Sequence, residues 1–135
     1  MMSQRARYAL RAMLAISRRD APLSVSTIAA EEVIPRKFLE AILVELKQAG
    51  LLVSVRGVRG GYRFSRPGSE ISFADVLRVV DGPLALAPCA SRTAYRKCPD
   101  CQDVETCETR KTLIAVRDAT AAILEARRFD PPAAD

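Results

Sequence analysis

The sequence predicts a mainly α fold, a winged helix-turn-helix domain with a small β-hairpin as its wing, followed by a long C-terminal helix. Three patterns carry that expectation. Two helical stretches, 25–32 and 36–49, are separated by only a few residues, and a run of alternating apolar residues with three glycines comes next at 51–66. Further on, 109–128 repeats apolar residues every three or four positions. At 135 residues and 49% hydrophobic content the chain can bury one core. No apolar run approaches the roughly 18 residues that a membrane span needs, so no membrane partner is expected.

Residues 7–19 bring Ala9, Ala12, Met13 and Ile16 round at helical spacing, with Arg5, Arg7, Arg11, Arg18 and Arg19 about them, the pattern of an amphipathic helix. Five arginines and no acid within residues 1–19 also have the composition of an organelle transit peptide. The segment runs into the next unit without a cleavage-like spacer, so a folded helix is expected instead. Asp20, Ala21 and Pro22 end it. Ser24 then caps the helix 25–32, whose Ile28 and Ala29 face inward, and Pro35 opens the next.

That next helix, 36–49, has Phe38, Leu39, Ile42, Leu43 and Leu46 as its buried stripe and Gly50 as the residue that stops it. Two helices joined so closely read as a helix-turn-helix. Arg36, Lys37, Glu40 and Ala41 stay on the outward, N-terminal side of the second. There a recognition helix meets base edges, Arg and Lys reading guanine and Glu accepting from cytosine N4. Ser24 and Thr27, at the start of the first helix, join the same candidate DNA surface. The plainer alternative is a solvated face on which Glu40 pairs with Lys37 or Lys47.

Leu51, Val53 and Val55 alternate with other residues, Arg-Gly-Val-Arg-Gly-Gly comes after them, and Tyr62 and Phe64 resume the alternation, which predicts a two-stranded hairpin. Arg56 and Arg59 extend from its glycine-rich tip. Beside a helix-turn-helix such a basic hairpin is a wing, and its arginines enter a minor groove or hold phosphate. Charge supports this placement. Residues 1–66 hold 12 Lys/Arg against 5 Asp/Glu, a net of +7, whereas 67–135 hold 9 against 11, a net of −2. The basic half is the candidate nucleic-acid surface.

All four cysteines fall between Cys89 and Cys107, at the spacing Cys-x8-Cys-x2-Cys-x5-Cys with Cys98 and Cys101 inside. Four soft sulfur donors so confined can close round zinc, iron or an iron–sulfur cluster if the loop folds back on itself. Pro88 and Pro99 suit an irregular loop, and Cys107, just before a helical pattern, falls where the helix dipole favours thiolate. Thiol redox chemistry and inert packing remain alternatives. Cys98-Pro99-Asp100-Cys101 is formally a redox Cys-x-x-Cys, but that chemistry wants a strand before it and a helix after it, and neither flank supplies one. A secreted disulfide scaffold is disfavoured because the chain has no signal peptide and can build a core without staples.

Tyr8-Ala9-Leu10-Arg11-Ala12-Met13, Ile28-Ala29, Phe38-Leu39-Glu40-Ala41-Ile42-Leu43, Ala49-Gly50-Leu51, Ser54-Val55-Arg56-Gly57 and Gly60-Gly61-Tyr62 together resemble the IscR/NsrR/RirA-type family of bacterial winged-helix regulators. So do Ile71-Ser72-Phe73-Ala74-Asp75-Val76 and Asp81-Gly82-Pro83-Leu84. The resemblance spans nearly the whole chain. It implies a cytoplasmic homodimer that binds an operator in double-stranded DNA, carries an iron–sulfur cluster on its cysteine loop and pairs through its C-terminal helix. It implies no enzyme activity and no small-molecule substrate. Glu40 matches the family's base-reading acid, Arg56 its wing arginine, and Cys89 and Cys107 its first and last cluster ligands. For the middle ligand Cys101 keeps a common five-residue gap, and Cys98 also lies between the outer pair. The chain has no histidine, which excludes the histidine ligand of some members. Val33 stands where a turn glycine is common and Arg59 where a wing glycine is frequent. The sequence also stops soon after Phe129, where members usually have a short extension that supports dimer packing.

Over 109–128, Leu113, Val116, Thr120 and Ile123 form one apolar seam, with Ile114 and Leu124 beside it. A helix of roughly 30 Å has more apolar face than a small domain covers, so it pairs with a second copy and sets two winged helices on successive major grooves. A helix packed back on its own domain is the alternative. The expected organisation is a DNA-binding domain at 1–84, a cysteine loop at 85–108, a dimerisation helix at 109–129 and a tail at 130–135. The expected cofactor is a two-iron or four-iron cluster, with zinc, a thiol–disulfide switch or a thiol–disulfide oxidoreductase as alternatives.

Overall fold

The computed structural model describes residues 2–130, and among these the chain forms five α-helices and one antiparallel hairpin. Helix α1 (Gln4–Ser17) begins three residues before the expected start because Ser3 caps it, its hydroxyl accepting from the Ala6 amide at 3.0 Å. Ala6, Ala9, Ala12, Met13 and Ile16 form its buried face. The Ser3 amide donates to the Asp81 carboxylate at 2.9 Å, so the first turn is pinned to the far end of a later helix.

Helix α2 (Val25–Glu32) has the expected bounds, with Ser24 Oγ accepting from the Thr27 amide at 3.2 Å. Helix α3 (Arg36–Gln48) comes next, and Pro35 is its capping residue rather than its first turn, the Pro35 carbonyl accepting from the Leu39 amide. Leu39, Ile42, Leu43 and Leu46 are fully buried as expected. Phe38 is not: it is 55% exposed. At about 100° per residue it stands nearly a quarter-turn from the centre of that stripe, beyond the reach of α1 and α2. Gly50 stops the helix at φ 84°, a left-handed value that glycine takes at no steric cost.

Strands β1 (Leu52–Val55) and β2 (Gly61–Phe64) pair antiparallel, Leu52 opposite Phe64 and Val55 opposite Gly61. Leu23 and Tyr62 exchange two backbone hydrogen bonds, at 2.8 and 2.9 Å, which fixes the turn-proximal half of β2 against the segment that leads into α2. Gly61 makes that approach feasible, since a Cβ there would collide with the Leu23 backbone. Helix α4 (Phe73–Val80) starts with a reciprocal capping box between Ser72 and Asp75, and packs on α1 and α3.

Helix α5 (Glu108–Ala126) ends two residues short of the expected position, and residues 127–129 beyond it are tied down rather than free. The Arg127 carbonyl accepts from the Phe73 amide at 2.9 Å, and the Phe129 amide donates to Gly68 O at 3.0 Å. The Phe129 ring stacks on Phe73 at 4.9 Å and meets Phe64 edge-on at 5.8 Å, leaving the residue 1% exposed. The segment 109–129, expected to pair with a second copy or to pack back on its own domain, ends inside the core of the winged domain. Of the expected tail, 131–135 lie outside the described residues.

Val33, the only non-glycine with positive φ among the described residues, sits in the turn between α2 and α3 at φ 54° and ψ 55°. Its side chain is 82% exposed, so no packing offsets the left-handed conformation, which costs an L-residue about 1–2 kcal/mol. Val33→Gly should raise the unfolding free energy by about 1 kcal/mol in urea denaturation, the extra freedom of glycine in the unfolded chain taking back part of the gain. An unchanged or lower midpoint would show that the turn is not strained.

Candidate nucleic-acid interface and cysteine pocket

The helix-turn-helix and the wing bring the expected DNA residues to the surface. Arg36, Lys37 and Glu40 are exposed on the first two turns of α3, and Arg56 and Arg59 are exposed at the hairpin tip. Arg36 Nε donates to Glu40 Oε1 at 3.0 Å, so Glu40's partner is Arg36 rather than Lys37 or Lys47. Lys47 donates instead to Ser54 Oγ at 2.9 Å, bracing α3 against β1. Ser24 and Thr27 are half-buried at the start of α2, their hydroxyls 2.9 Å apart. The Arg36–Glu40 pair is fully at the surface, where such i,i+4 pairs contribute about 0.3–0.5 kcal/mol, so opening it to meet a ligand costs little.

The second site is the loop between α4 and α5. All four cysteines are free thiols, and all four line one open pocket of about 500 Å³ together with Arg110. Cys89 sits in a single 3-10 turn, Pro88–Ala90, and Cys107 is the N-cap of α5, its Sγ accepting from the Arg110 amide at 3.4 Å. Cys98 and Cys101 lie in a turn between, with Cys101 N donating to Cys98 O. The Cys89 and Cys98 sulfurs are 3.7 Å apart. Two thiolates on one tetrahedral metal with bonds of about 2.3 Å stand about 3.8 Å apart, so this pair already has the spacing of a shared metal atom. A disulfide needs about 2.05 Å. The hydrogen bond to Cys89, then burial, push the pKa of the Cys98 thiol above its ordinary value.

Among the described residues no three Cys, Asp or Glu side chains stand close enough to hold a metal ion as they are. The donor set fits a cluster or zinc in number and softness, but Cys101 and Cys107 would have to move inward to complete it.

Two residues that sequence reasoning passed over organise this loop. Arg110 Nε donates to the Cys89 carbonyl at 3.0 Å, and Arg117 Nη1 donates to the Ala90 carbonyl at 2.9 Å. The seven-residue interval on the helix after the last cysteine was the available signal, since it puts both guanidinium groups on one face. Arg117 and Arg92 also hold Asp118, Arg117 first, and keep its carboxyl below the usual range. The first and last cysteines are thus joined through α5 itself. At its other end α5 is held to α4 by Arg78–Glu125 at 2.7 Å. Its seam is only partly covered: Val116 is 41% and Ile123 70% exposed, while Leu113, Ile114, Thr120 and Leu124 are half-buried. No helix of the described residues is long and apolar enough to cross a membrane.

The family model for Rrf2, iron-dependent transcriptional regulator, matches residues 2–130. A regulator of Rhodobacter capsulatus named as an rrf2-like HTH-type transcriptional regulator is 40% identical over 121 residues, 86% of this chain and 81% of the relative. The HTH-type transcriptional regulator IscR of Vibrio atlanticus is 33% identical over 110 residues, 80% of this chain and 60% of the relative. Among solved structures, CymR, the global cysteine regulator of Bacillus subtilis, superposes with a TM-score of 0.77 at 26% identity, over 96% of this chain and 92% of that one. IscR of T. potens has the same fold at a TM-score of 0.75 and 23% identity, covering 96% and 82%. These relatives are transcription regulators, not enzymes.

A hydrogen bond from a charged donor contributes about 1.5–3 kcal/mol when buried, and less at a half-exposed site such as Arg110. Arg110→Gln should therefore speed amide exchange of Ala90 and Ser91 about fivefold while leaving α1 to α4 unchanged. Equal protection in the variant would mean that Arg110 does not hold the loop.

Proposed function

The chain belongs to the Rrf2 family of transcription regulators, and on that footing we propose that its affinity for a DNA operator is set by an iron–sulfur cluster held on Cys89, Cys98, Cys101 and Cys107. The observation that carries this reading is the gathering of all four thiols into one pocket at the start of α5. A two-iron cluster is favoured over a four-iron one. It takes two thiolates on each iron, as the 3.7 Å Cys89–Cys98 spacing suits, whereas a four-iron cluster takes one. Bound there, the cluster would supply electron-transfer and iron-exchange chemistry responsive to oxidants, nitric oxide or iron supply.

The chain's own residues make the pocket a switch. Drawing Cys101 and Cys107 inward shifts the cap of α5, while Arg110 and Arg117 keep the Cys89 turn on the same helix. In a dimer paired along α5, a change in that helix alters the separation of the two α3 helices. DNA contact itself is assigned to Arg36, Lys37 and Glu40 on α3, to Arg56 and Arg59 on the wing, and to Ser24 and Thr27 at the start of α2. Zinc is the second reading, because the Cys89–Cys98 distance suits it equally.

Protein purified anaerobically from iron-replete cells should contain iron and acid-labile sulfide in equal amounts, and each cysteine-to-alanine variant should lose both. Cys107→Ala should then change operator affinity by about 5- to 150-fold, the usual range for coupled sites. Zinc without sulfide would replace the cluster by the second reading, and unchanged affinity in cofactor-free Cys107→Ala would remove the switch. On the DNA side, Arg56→Ala should weaken binding to all sequences and lower the salt dependence, while Glu40→Ala should relax base preference at one position. If neither variant has its effect, the surface is wrongly assigned.

The exposed seam of α5 fits a second copy. Val116→Asp burdens the folded chain less than a core substitution, since the side chain already meets solvent in part, yet places an unpaired charge in a paired seam. Sedimentation should show wild-type dimer and variant monomer. A variant that stays dimeric would place the contact elsewhere.

A further inference from the structure

Helix α3 carries more apolar surface outward than its core requires. Its buried stripe of Leu39, Ile42, Leu43 and Leu46 leaves Lys37, Ala41, Val44 and Gln48 along the opposite line, at about 100° per residue. All four are exposed, Val44 at 44%, with Phe38 exposed at the margin of the same strip. A single exposed valine would mean nothing. Here Ala41 and Val44 occupy the two central positions of the one face that points away from the domain.

The charges around that strip decide what it meets. Lys37 stands in the strip itself, and the two acids that flank it, Glu40 and Glu45, are each paired with an arginine, Arg36 and Arg5. Lys47 lies farther round the helix and Arg56 and Arg59 on the adjacent wing, in the half of the chain with a net charge of +7. A protein interface depletes lysine and charge at its apolar centre, whereas a groove lined by phosphates accepts a cationic border round an apolar line. In the major groove the one apolar feature of a base edge is the 5-methyl group of thymine. Short side chains at Ala41 and Val44, between the longer Lys37 and Gln48, allow a base edge to come close.

We propose that Ala41 and Val44 read thymine methyl groups in each half-site, with Phe38 packing along the edge of the same strip. This rests on α3 being the major-groove helix, and it adds an apolar reading to the polar one at Arg36 and Glu40. The half-site should then hold at least one thymine whose methyl group is recognised.

Deoxyuridine differs from thymidine only by that methyl, so replacing each thymidine of a selected operator in turn isolates the contact. With the full-length protein, substitution at one or two thymidines per half-site should weaken binding about fourfold each, the ordinary value of one buried methyl group. Val44→Ala and Ala41→Ser should each lose sensitivity at one position while keeping it at the other. Both changes are conservative on an exposed helix face, and circular dichroism checks that the fold persists. Wild-type binding that ignores every uracil, or uracil sensitivity that survives in the double variant, overturns the proposal while leaving α3 as the DNA helix. Failure to enrich any sequence at all removes the DNA reading of α3 and this proposal with it. Loss of the dimer in Val44→Ala, with uracil scanning silent, would identify the strip as a protein interface and overturn the proposal equally.

Discussion

The aromatic contact of Phe129 with Phe64 and Phe73 is the constraint on which the arrangement of the two sites depends. Without it, α5 would be held to the winged domain only by its packing on α4 and by the Arg78–Glu125 pair. With it, the segment leaving α5 is clamped between the strand that ends the wing and the first turn of α4. Removing a ring of this kind costs about 3–5 kcal/mol, a large share of the stability of a domain this size. The Arg78–Glu125 ion pair is mostly exposed and adds little by comparison. Apolar burial therefore fixes the helix, and the surface charges fix only its orientation.

That clamp also determines how much of the structure could be read in advance. Elements whose signals are local were legible: Ser24 before α2, Gly50 after α3, and the alternation with glycines that makes the wing all stand where the pattern puts them. The start of α1 was missed because Ser3, an efficient cap, lies outside the apolar periodicity used to find the helix. Phe129 was invisible for a different reason. A lone aromatic among Arg127, Arg128 and Asp130 carries no periodicity, and its partners lie 56 and 65 residues earlier in the chain. Phe38 was placed in the core on hydrophobicity alone, although its angle on the helix assigns it to the flank.

The cysteine pocket was legible in composition and not in geometry. Spacing put four thiols within nineteen residues, and the structure lines one pocket with all of them. It could not give the Cys89–Cys98 approach, which depends on the turn at Pro88–Ala90 being held down by two arginines from another element. Those arginines look in the sequence like ordinary solvated charges on an amphipathic helix. Long-range donors to backbone carbonyls have no sequence pattern of their own, because a carbonyl is present at every residue.

The incomplete convergence of the four thiols bears on how a signal could leave the pocket. A site already closed in the absence of its ligand gains nothing in shape when the ligand binds, and can influence a distant surface only through charge. Charge is a poor messenger here, since at physiological ionic strength the field of an open, solvent-lined pocket decays over about 8 Å. A site with one pair of sulfurs at the spacing of a shared metal atom and, among the described residues, no third donor gathered with it would have to move to be filled. Cys107 is the cap of α5, so the movement acts at the end of a stiff helix whose other end is clamped by Phe129. α5 rests on α4, and α4 packs on α1 and α3. A displacement at the cap must be absorbed either by that packing or by the seam containing Val116 and Ile123. Close-packed interiors resist deformation more than partly exposed faces do, so in the proposed dimer the seam would be the compliant element, and pairing geometry, rather than the internal shape of the winged domain, what a filled cysteine pocket would change.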